Sequence, residues 1–307
     1  MFIRRGFPSS SAPATALTIG TFDGVHLGHQ ALLARLKTAA TERNLPVSVL
    51  TFEPHPREFF SRDAAPARLT GFCEKSELLA AHGLDTVYVK RFDAKFAELT
   101  AEQFLRLIET LGARYLLVGD DFRFGKDRAG DFSLLKSGDF ELQRMESVLL
   151  AGERVSSSAI RAALAAADFA KASRLLGRDY SISGKVVHGD ELGAQIGFPT
   201  ANVQLKNKRP PLSGIFAVEL SGIAESRLSG VASLGLRPTV SVVGKPTLEV
   251  HLFDFDADIY GRRVSVFFLH KLRDEAKYAD LKTLTAQIGK DVEAAKAWFA
   301  ARQAARR

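Results

Sequence analysis

The first half of the chain alternates between short apolar runs and longer stretches in which apolar residues recur every three or four positions. Short runs rich in β-branched and aromatic residues predict strands, and the longer spacing predicts helices. The predicted strands are 17–20, 47–52, 86–90, 115–118 and 147–150, and the predicted helices are 30–41, 73–81 and 101–111. Because strands that alternate with helices form parallel sheets with helices on both faces, the pattern predicts an α/β domain.

The pattern changes near residue 177. Residues 156–176 predict two alanine-rich helices, and residues 177–180 are typical of a short linker. Strand-like runs separated by turns follow at 183–188, 214–220, 228–233, 247–253 and 263–272, before a last predicted helix at 281–301. This predicts a small antiparallel barrel or sandwich closed by a C-terminal helix. We therefore expect two domains, 1–178 and 181–307.

Composition narrows the class of protein. A hydrophobic content of 46% with 25% charged residues is typical of a folded globular chain. Cys73 is the single cysteine, so no intrachain disulfide can form, and a reducing compartment is favoured. We find no apolar run long enough to span a bilayer and no sustained apolar segment after Arg4 and Arg5, which makes the cytoplasm the expected location.

The net charge of +7 raises the question of nucleic-acid binding. Much of the excess lies in the tail 300–307 and in the segment 206–209, and such runs are usually solvated. We therefore expect neither a nucleic acid nor a membrane as partner. A positive field also suits anionic small substrates such as nucleotides.

The segment GTFDGVHLGHQ, residues 20–30, places His26 and His29 between the first predicted strand and the first predicted helix. Three interpretations stay open. As metal ligands the imidazoles would need a third His, Cys or carboxylate, and none is obvious nearby. As structural groups they would cap the helix or fill the core. As phosphate-binding groups they would act with a glycine-rich turn and a helix N-terminus, which attracts anions.

A second polar segment, GFPTAN at 197–202, offers the side-chain oxygens of Thr200 and Asn202 two residues apart. In an extended chain they face the same way, which suits Mg²⁺; an ordinary turn is the alternative. In the predicted strand 247–253, Glu249 alternates with aliphatic residues and therefore lies off the aliphatic face.

These segments occur in a recognisable order. Together with GTFDGVHLGHQ, residues 51–56, 118–125 and 155–161 resemble the HxGH nucleotidyltransferase module, or FAD synthetase, of bacterial bifunctional riboflavin kinase/FMN adenylyltransferases. GFPTANV and residues 214–218, 237–239, 247–255 and 271–275 resemble the riboflavin kinase module of the same family. The resemblance extends from about residue 15 to about residue 298. It implies a Rossmann-like N-terminal domain, a C-terminal β-barrel, and the substrates and products ATP, riboflavin, FMN and FAD.

For the first domain, the resemblance implies that His26, His29 and Arg161 act on the ATP phosphates during adenylyl transfer. It implies further nucleotide contacts at Gly20, Phe22, Asp23, Gly28, Ser157 and Ser158, and flavin contacts at Asp121, Phe122 and Phe124. Ser158 stands where the family usually has threonine, which keeps the hydroxyl. Core packing is the alternative for the two phenylalanines, and a helix N-cap is the alternative for the serines.

For the second domain, the resemblance implies that Thr200 and Asn202 hold Mg²⁺ and that Gly197 and Thr200 contact ATP. Glu249 would be the base that accepts the riboflavin hydroxyl proton, and Arg273 would contact the flavin.

The second domain also departs from its relatives, because Ala194 stands where an arginine is common, and Ser233 and Leu236 replace commoner residues. An enzyme with only the adenylyltransferase active, or a flavin- or nucleotide-binding regulator, therefore remains an alternative to the bifunctional enzyme. Nothing in the sequence indicates an oligomeric state.

Overall fold

The computed structural model describes residues 1–8, 10–61, 64–189, 193, 196–205, 209–236 and 246–305. The chain divides into two compact units, one of Met1–Pro66 with Phe72–Ser157 and the other of Ala67–Gly71 with Ser158–Arg307. This division places the two helices before residue 178 with the second unit. The predicted domains, 1–178 and 181–307, are assigned by function, and this boundary remains a prediction.

The first unit is built on a six-stranded parallel sheet in the order β1-β4-β3-β2-β5-β6. The strands are β1 (Phe2–Arg5), β2 (Thr15–Ile19), β3 (Val47–Glu53), β4 (Thr86–Arg91), β5 (Ala113–Gly119) and β6 (Glu141–Met145). All five residues of β2 are buried, as expected for a central strand covered on both faces. Four of the five strands predicted in this half are confirmed.

Helices cover both faces of this sheet. They are α1 (Leu27–Glu42), α2 (Pro56–Phe60), α3 (Phe72–Ala81), α4 (Ala94–Ala97), α5 (Ala101–Thr110) and α6 (Phe132–Leu135). One hydrophobic cluster joins α1 and α3 to one face of the sheet, and a second joins α5 to the other. At the start of α5, the Thr100 hydroxyl accepts from the Gln103 amide at 3.2 Å and the Gln103 side chain accepts from the Thr100 amide at 2.8 Å.

The predicted strand at 147–150 is wrong in extent and in role. Only β7 (Leu149–Leu150) forms there, in a two-stranded antiparallel pair with β8 (Glu153–Arg154). The sheet is instead completed by β1 and β6, which the apolar pattern does not show. Both lie at the edges of the sheet, where one side of the strand has no neighbour and polar side chains are tolerated.

The second unit contains the two predicted alanine-rich helices, α7 (Ser157–Ala165, whose first residue closes the first unit) and α8 (Phe169–Leu176). Its six antiparallel strands close into a barrel in the order β10-β13-β12-β11-β14-β9. They are β9 (Ser181–Val187), β10 (Ala201–Val203), β11 (Gly214–Ser221), β12 (Leu228–Leu236), β13 (Pro246–Leu252) and β14 (Arg263–Arg273). Of the two predicted alternatives, barrel and sandwich, the barrel is confirmed. The short strand β10 was not predicted.

The C-terminal helix α9 (Leu281–Ala304) covers part of the outer face of the barrel. Its Val292 and Ala295 are buried in a cluster with Ile215, Ala217 and Val231 from β11 and β12. Within the described part of the chain, no helix combines the length and the apolar character needed to cross a membrane.

Candidate active sites

The turn that carries both histidines lies where the strand order of the sheet reverses. From β2 the chain builds β3 and β4 on one side and then β5 and β6 on the other. Residues 20–26 follow the carboxyl end of β2, and His26 caps the N-terminus of α1. Ligands of open α/β sheets bind at this crevice, so the sequence-based placement of the turn is confirmed.

The two imidazole rings stack on each other, with centroids 3.7 Å apart and planes 18° from parallel. His26 Nδ1 accepts from the His29 amide at 3.4 Å, so the proton of neutral His26 lies on Nε2. His29 Nδ1 is enclosed and has no hydrogen-bond partner among the described residues. Among all the residues that the structure describes, no cluster of three or more His, Cys, Asp or Glu is placed to hold a metal ion.

Burial holds the pKa of His29 well below its usual value, and the neighbouring His26 and Lys75 lower it further. His29 is therefore neutral at pH 7 and carries one N–H. A neutral imidazole at a helix N-terminus still has one N–H that can donate to a phosphate.

The backbone of the turn is bent sharply, with left-handed φ values of 50° at Phe22, 83° at Gly24 and 40° at Val25. The Phe22 ring is fully buried and lies 5.0 Å from the His29 ring. A Cβ would be tight at both ends of the turn: one on Gly20 would lie 3.1 Å from the Phe22 ring, and one on Gly28 would lie 3.2 Å from the His26 ring. These residues shape the turn, and their predicted nucleotide contacts remain predictions.

Ser157 is the residue of the serine motif that the structure brings to this turn. Its hydroxyl donates to the carbonyl of Asp23 at 2.9 Å, and Asp23 is itself buried. Ser158 is exposed, one residue further along α7. Arg161 Nε donates to the Ala67 carbonyl at 2.5 Å. The predicted phosphate contacts of Ser158 and Arg161 remain predictions.

The predicted flavin-side loop follows β5. Asp121 forms an ion pair with Arg154 at 2.7 Å, an interaction that the sequence did not suggest. The Phe122 and Phe124 rings stack at 5.6 Å, and Phe124 lies 5.2 Å from Phe104 in the hydrophobic core. Core packing therefore accounts for Phe124, which is buried, whereas Phe122 is partly exposed. Their flavin contacts remain predictions.

In the second unit, Asn202 and Glu249 lie directly opposite each other in the register of β10 and β13. Glu249 also faces Ser233 of β12. Residues that are paired across an antiparallel ladder place their side chains on the same face. Because Leu248 and Val250 are buried and Glu249 is not, the prediction that Glu249 lies off the aliphatic face is confirmed.

The segment before β10 is held close to this pair. His251 Nδ1 donates to the Pro199 carbonyl at 2.9 Å. A Cβ on Gly193 would lie 3.2 Å from the Thr200 hydroxyl, and a Cβ on Gly189 would collide with the Asn202 side chain. Gly197 has a left-handed φ of 84° and exposes its backbone. The candidate residues Ala194, Arg237 and Thr239 lie outside the described residues, as do the neighbouring motif positions 190–192, 195 and 238.

Arg273 forms a two-point ion pair with Asp291 of α9, with N–O distances of 2.8 and 2.6 Å. Hydrogen bonds from Arg273 to Asp291 raise the pKa of the guanidinium, although partial burial acts in the opposite direction. This contact joins the end of β14 to the C-terminal helix. The flavin contact predicted for Arg273 remains a prediction, and Asp291 is a partner that sequence reasoning missed.

Lys75 is a second residue that sequence reasoning missed. It is buried beside the His26–His29 turn. A signal was present, because Leu78 and Leu79 follow at the i+3 and i+4 positions of a predicted helix, which puts a lysine on its apolar face.

Comparison with known proteins finds two family models in succession: FAD synthetase over residues 9–159 and riboflavin kinase over residues 176–299. The bifunctional riboflavin kinase/FMN adenylyltransferase of Escherichia coli strain K12 is 48% identical, over 94% of this chain and 95% of its own length. The protein of the same name from Pseudomonas fluorescens is 48% identical over 91% of each chain. A crystal structure of a Streptococcus pneumoniae chain described as a macrolide-efflux protein is 29% identical, with a TM-score of 0.78, and the match covers 95% of this chain and 97% of that one.

Proposed function

The chain belongs to the bifunctional riboflavin kinase/FMN adenylyltransferase family, and from this premise we propose that it carries out two successive ATP-dependent reactions. The first transfers the terminal phosphoryl group of ATP to riboflavin and gives FMN. The second transfers the adenylyl group of ATP to FMN and gives FAD and pyrophosphate. Residues 1–178 would carry the adenylyl transfer and residues 181–307 the phosphorylation.

One observation carries this proposal: each unit holds its own set of groups suited to phosphorus chemistry. The first has stacked imidazoles at the start of α1, at the switch point of a parallel sheet. The second has a carboxylate opposite a side-chain amide on the outer face of a barrel. A chain with a single activity would need only one of these sets.

In adenylyl transfer, a phosphate oxygen of FMN attacks the α-phosphorus of ATP and pyrophosphate leaves. Negative charge increases on the phosphate oxygens in the transition state, and N–H donors fixed in advance stabilise that charge. His26 and His29 supply side-chain donors, and the dipole of α1, which begins at Leu27, adds a partial positive charge. Stacking of the two rings fixes their orientation before ATP binds.

In phosphorylation, the terminal hydroxyl of the riboflavin side chain attacks the γ-phosphorus of ATP and ADP leaves. Glu249 accepts the hydroxyl proton as the oxygen–phosphorus bond forms. A positioned carboxylate is enough for this task, because phosphoryl transfer depends on orientation and charge neutralisation more than on a strong base. Its partner across the ladder, Asn202, holds the adjacent position on the same face.

The residues present fit Mg²⁺ at the kinase site. Thr200 and Asn202 offer hydroxyl and amide oxygens, which are ligands that Mg²⁺ accepts together with substrate phosphates. Gly189 and Gly193 let the backbone pack closely against the Asn202 and Thr200 side chains, where a Cβ would lie too near. The ion would neutralise the charge of the triphosphate during transfer.

The proposal is tested by incubating the protein with riboflavin, ATP and Mg²⁺ and separating the flavins by chromatography. We expect both FMN and FAD to appear. Conversion of supplied FMN to FAD without phosphorylation of riboflavin would identify an enzyme with only the adenylyltransferase active. Flavin binding without either product would identify a regulator. The predicted cytoplasmic location stays a prediction for cell fractionation to test.

A further inference from the structure

Lys75 lies in the first turn of α3, and its side chain is only 7% exposed. Packing alone does not require an ammonium group at this position, because methionine would occupy a similar volume without the cost of burying a charge. We propose that Lys75 is a positioning residue for adenylyl transfer, which holds the turn carrying His26 and His29 through the Thr21 carbonyl. The inference rests on the function proposed above for that turn.

The ammonium group joins the ends of two neighbouring strands. Lys75 Nζ donates to the Thr21 carbonyl at 3.2 Å and to the Thr51 hydroxyl at 3.2 Å. The Thr51 hydroxyl in turn donates to the same Thr21 carbonyl at 3.3 Å. Glu53 lies 3.8 Å away and balances the buried charge. Thr21 follows β2 and Thr51 belongs to β3. A single nitrogen therefore holds together the carboxyl ends of these two strands, where the turn begins.

The Thr21 carbonyl belongs to the peptide plane that joins Thr21 to Phe22. Phe22 has a left-handed φ of 50°, and a bulky side chain keeps such a conformation only where its surroundings hold it. The buried Phe22 ring lies 5.0 Å from the His29 ring, which stacks on His26. A continuous set of contacts therefore runs from Lys75 through Thr21 and Phe22 to the imidazole pair.

The charge of Lys75 also acts on His29. Burial makes the largest contribution to the lowered pKa of His29, and the charges of His26 and Lys75 add to it. Loss of the Lys75 charge should therefore raise the pKa of His29, a change that loss of packing alone would not produce.

Two substitutions separate the hydrogen bonds from the charge. Lys75→Met removes both, whereas Lys75→Gln removes the charge and keeps an N–H donor. Lys95→Met is the matched control, because Lys95 is exposed on α4 of the same unit. FAD formation from FMN, riboflavin phosphorylation and melting temperature are measured for every variant. The His29 pKa is followed by NMR of histidine-labelled protein, with the signal assigned by its loss in His29→Ala.

We expect Lys75→Met to lower kcat for FAD formation by about 10- to 100-fold, the effect of displacing reacting groups by about an ångström. KM should change by less than about threefold, because a residue that acts through the turn alters the transition state more than substrate binding. Lys75→Gln should lose less activity, and the His29 pKa should rise in both variants. Riboflavin phosphorylation, and both activities of Lys95→Met, should stay near wild type.

Each outcome decides the question. If the wild-type protein makes no FAD from FMN, the proposed function fails, and this inference fails with it. If wild type makes FAD and a folded Lys75→Met does so at the wild-type rate, only the role of Lys75 is overturned. If Lys75→Met does not fold, Lys75→Gln decides: a wild-type rate with an unmoved His29 pKa overturns the proposal.

Discussion

At the scale of single residues, the two histidines of the turn do different things. His26 accepts a backbone hydrogen bond and caps α1, so its Nδ1 is occupied by a structural contact. His29 Nδ1 is enclosed and has no hydrogen-bond partner among the described residues. Burial, His26 and Lys75 all lower the pKa of His29. A buried polar atom without a partner usually has a ligand or a water to satisfy it. His29 is therefore the cleaner test of phosphate binding.

We predict that His29→Ala lowers FAD formation from FMN by about 10²-fold, the usual loss when one donor to a transition-state charge is removed. Riboflavin phosphorylation should be unchanged, because Glu249 and Asn202 belong to the other unit. Steady-state rates of both reactions on the same preparation check this. An unchanged rate of FAD formation would leave His29 as a packing residue beside Phe22.

Glu249 gives the corresponding test in the barrel. Glu249→Gln keeps the size of the side chain and removes the proton acceptor, so we expect riboflavin phosphorylation to fall by about 10²- to 10⁴-fold. Asn202→Ala should also be impaired, and added Mg²⁺ should partly restore that variant but not Glu249→Gln. FAD formation from supplied FMN is the control. A folded Glu249→Gln protein with full kinase activity would make Glu249 an ordinary strand residue.

How far residues can be assigned from sequence depends on whether their partners are local. His26, His29, Thr200 and Asn202 stand in short motifs, and the strand period alone put Glu249 off the aliphatic face. Lys75 and Asp291 have no such motif. Their partners are 54 and 18 residues away along the chain, so their importance appears only once the tertiary fold brings the pairs together.

At the scale of elements, the missed strands share a physical cause. β1 reads FIRR and is exposed along its whole length, and β6 reads ELQRM with no fully buried residue. Both lie at sheet edges, so neither carries the apolar run that marks β2, β3 and β5. β10 has three residues, too few to show an alternating pattern. Apolar patterning therefore finds the central strands of the sheet and misses its edge strands.

The contact between α9 and the end of β14 yields a prediction at this scale. Asp291→Asn leaves the Arg273 guanidinium without its carboxylate partner, which should destabilise the second unit by about 1–3 kcal/mol. The melting temperature of that unit should fall by several degrees, about 2–4 °C for each kcal/mol. Glu293→Gln, an exposed change on the same helix, should have little effect. Equal melting temperatures for the two variants would show that the ion pair adds little to docking of the helix.

At the scale of the whole molecule, two compact units each carry a set of reactive groups, and the product of one proposed reaction is the substrate of the other. Sequence reasoning predicted the two folds and their order, because the change from helix-separated strands to turn-separated strands is visible along the chain. It did not predict the division between Ser157 and Ser158. The helices α7 and α8 group with the barrel through tertiary contacts, such as the one between the Phe169 and Phe216 rings, whose centroids are 6.0 Å apart.

The residues proposed for adenylyl transfer and those proposed for phosphorylation belong to different units. Two variant proteins, each lacking one activity, should therefore carry out the two reactions in turn. A mixture of His29→Ala and Glu249→Gln should convert riboflavin to FAD, whereas each variant alone should do so at least about 10²-fold more slowly. His29→Ala would supply FMN, and Glu249→Gln, which keeps His26 and His29, would adenylylate it. If FMN diffuses freely, the mixture should reach a rate within a few-fold of wild type at the same total protein, and an excess of unlabelled FMN should dilute FAD formed from labelled riboflavin. Failure of the mixture to make FAD, although Glu249→Gln converts supplied FMN, would mean that His29→Ala does not release the FMN that it makes.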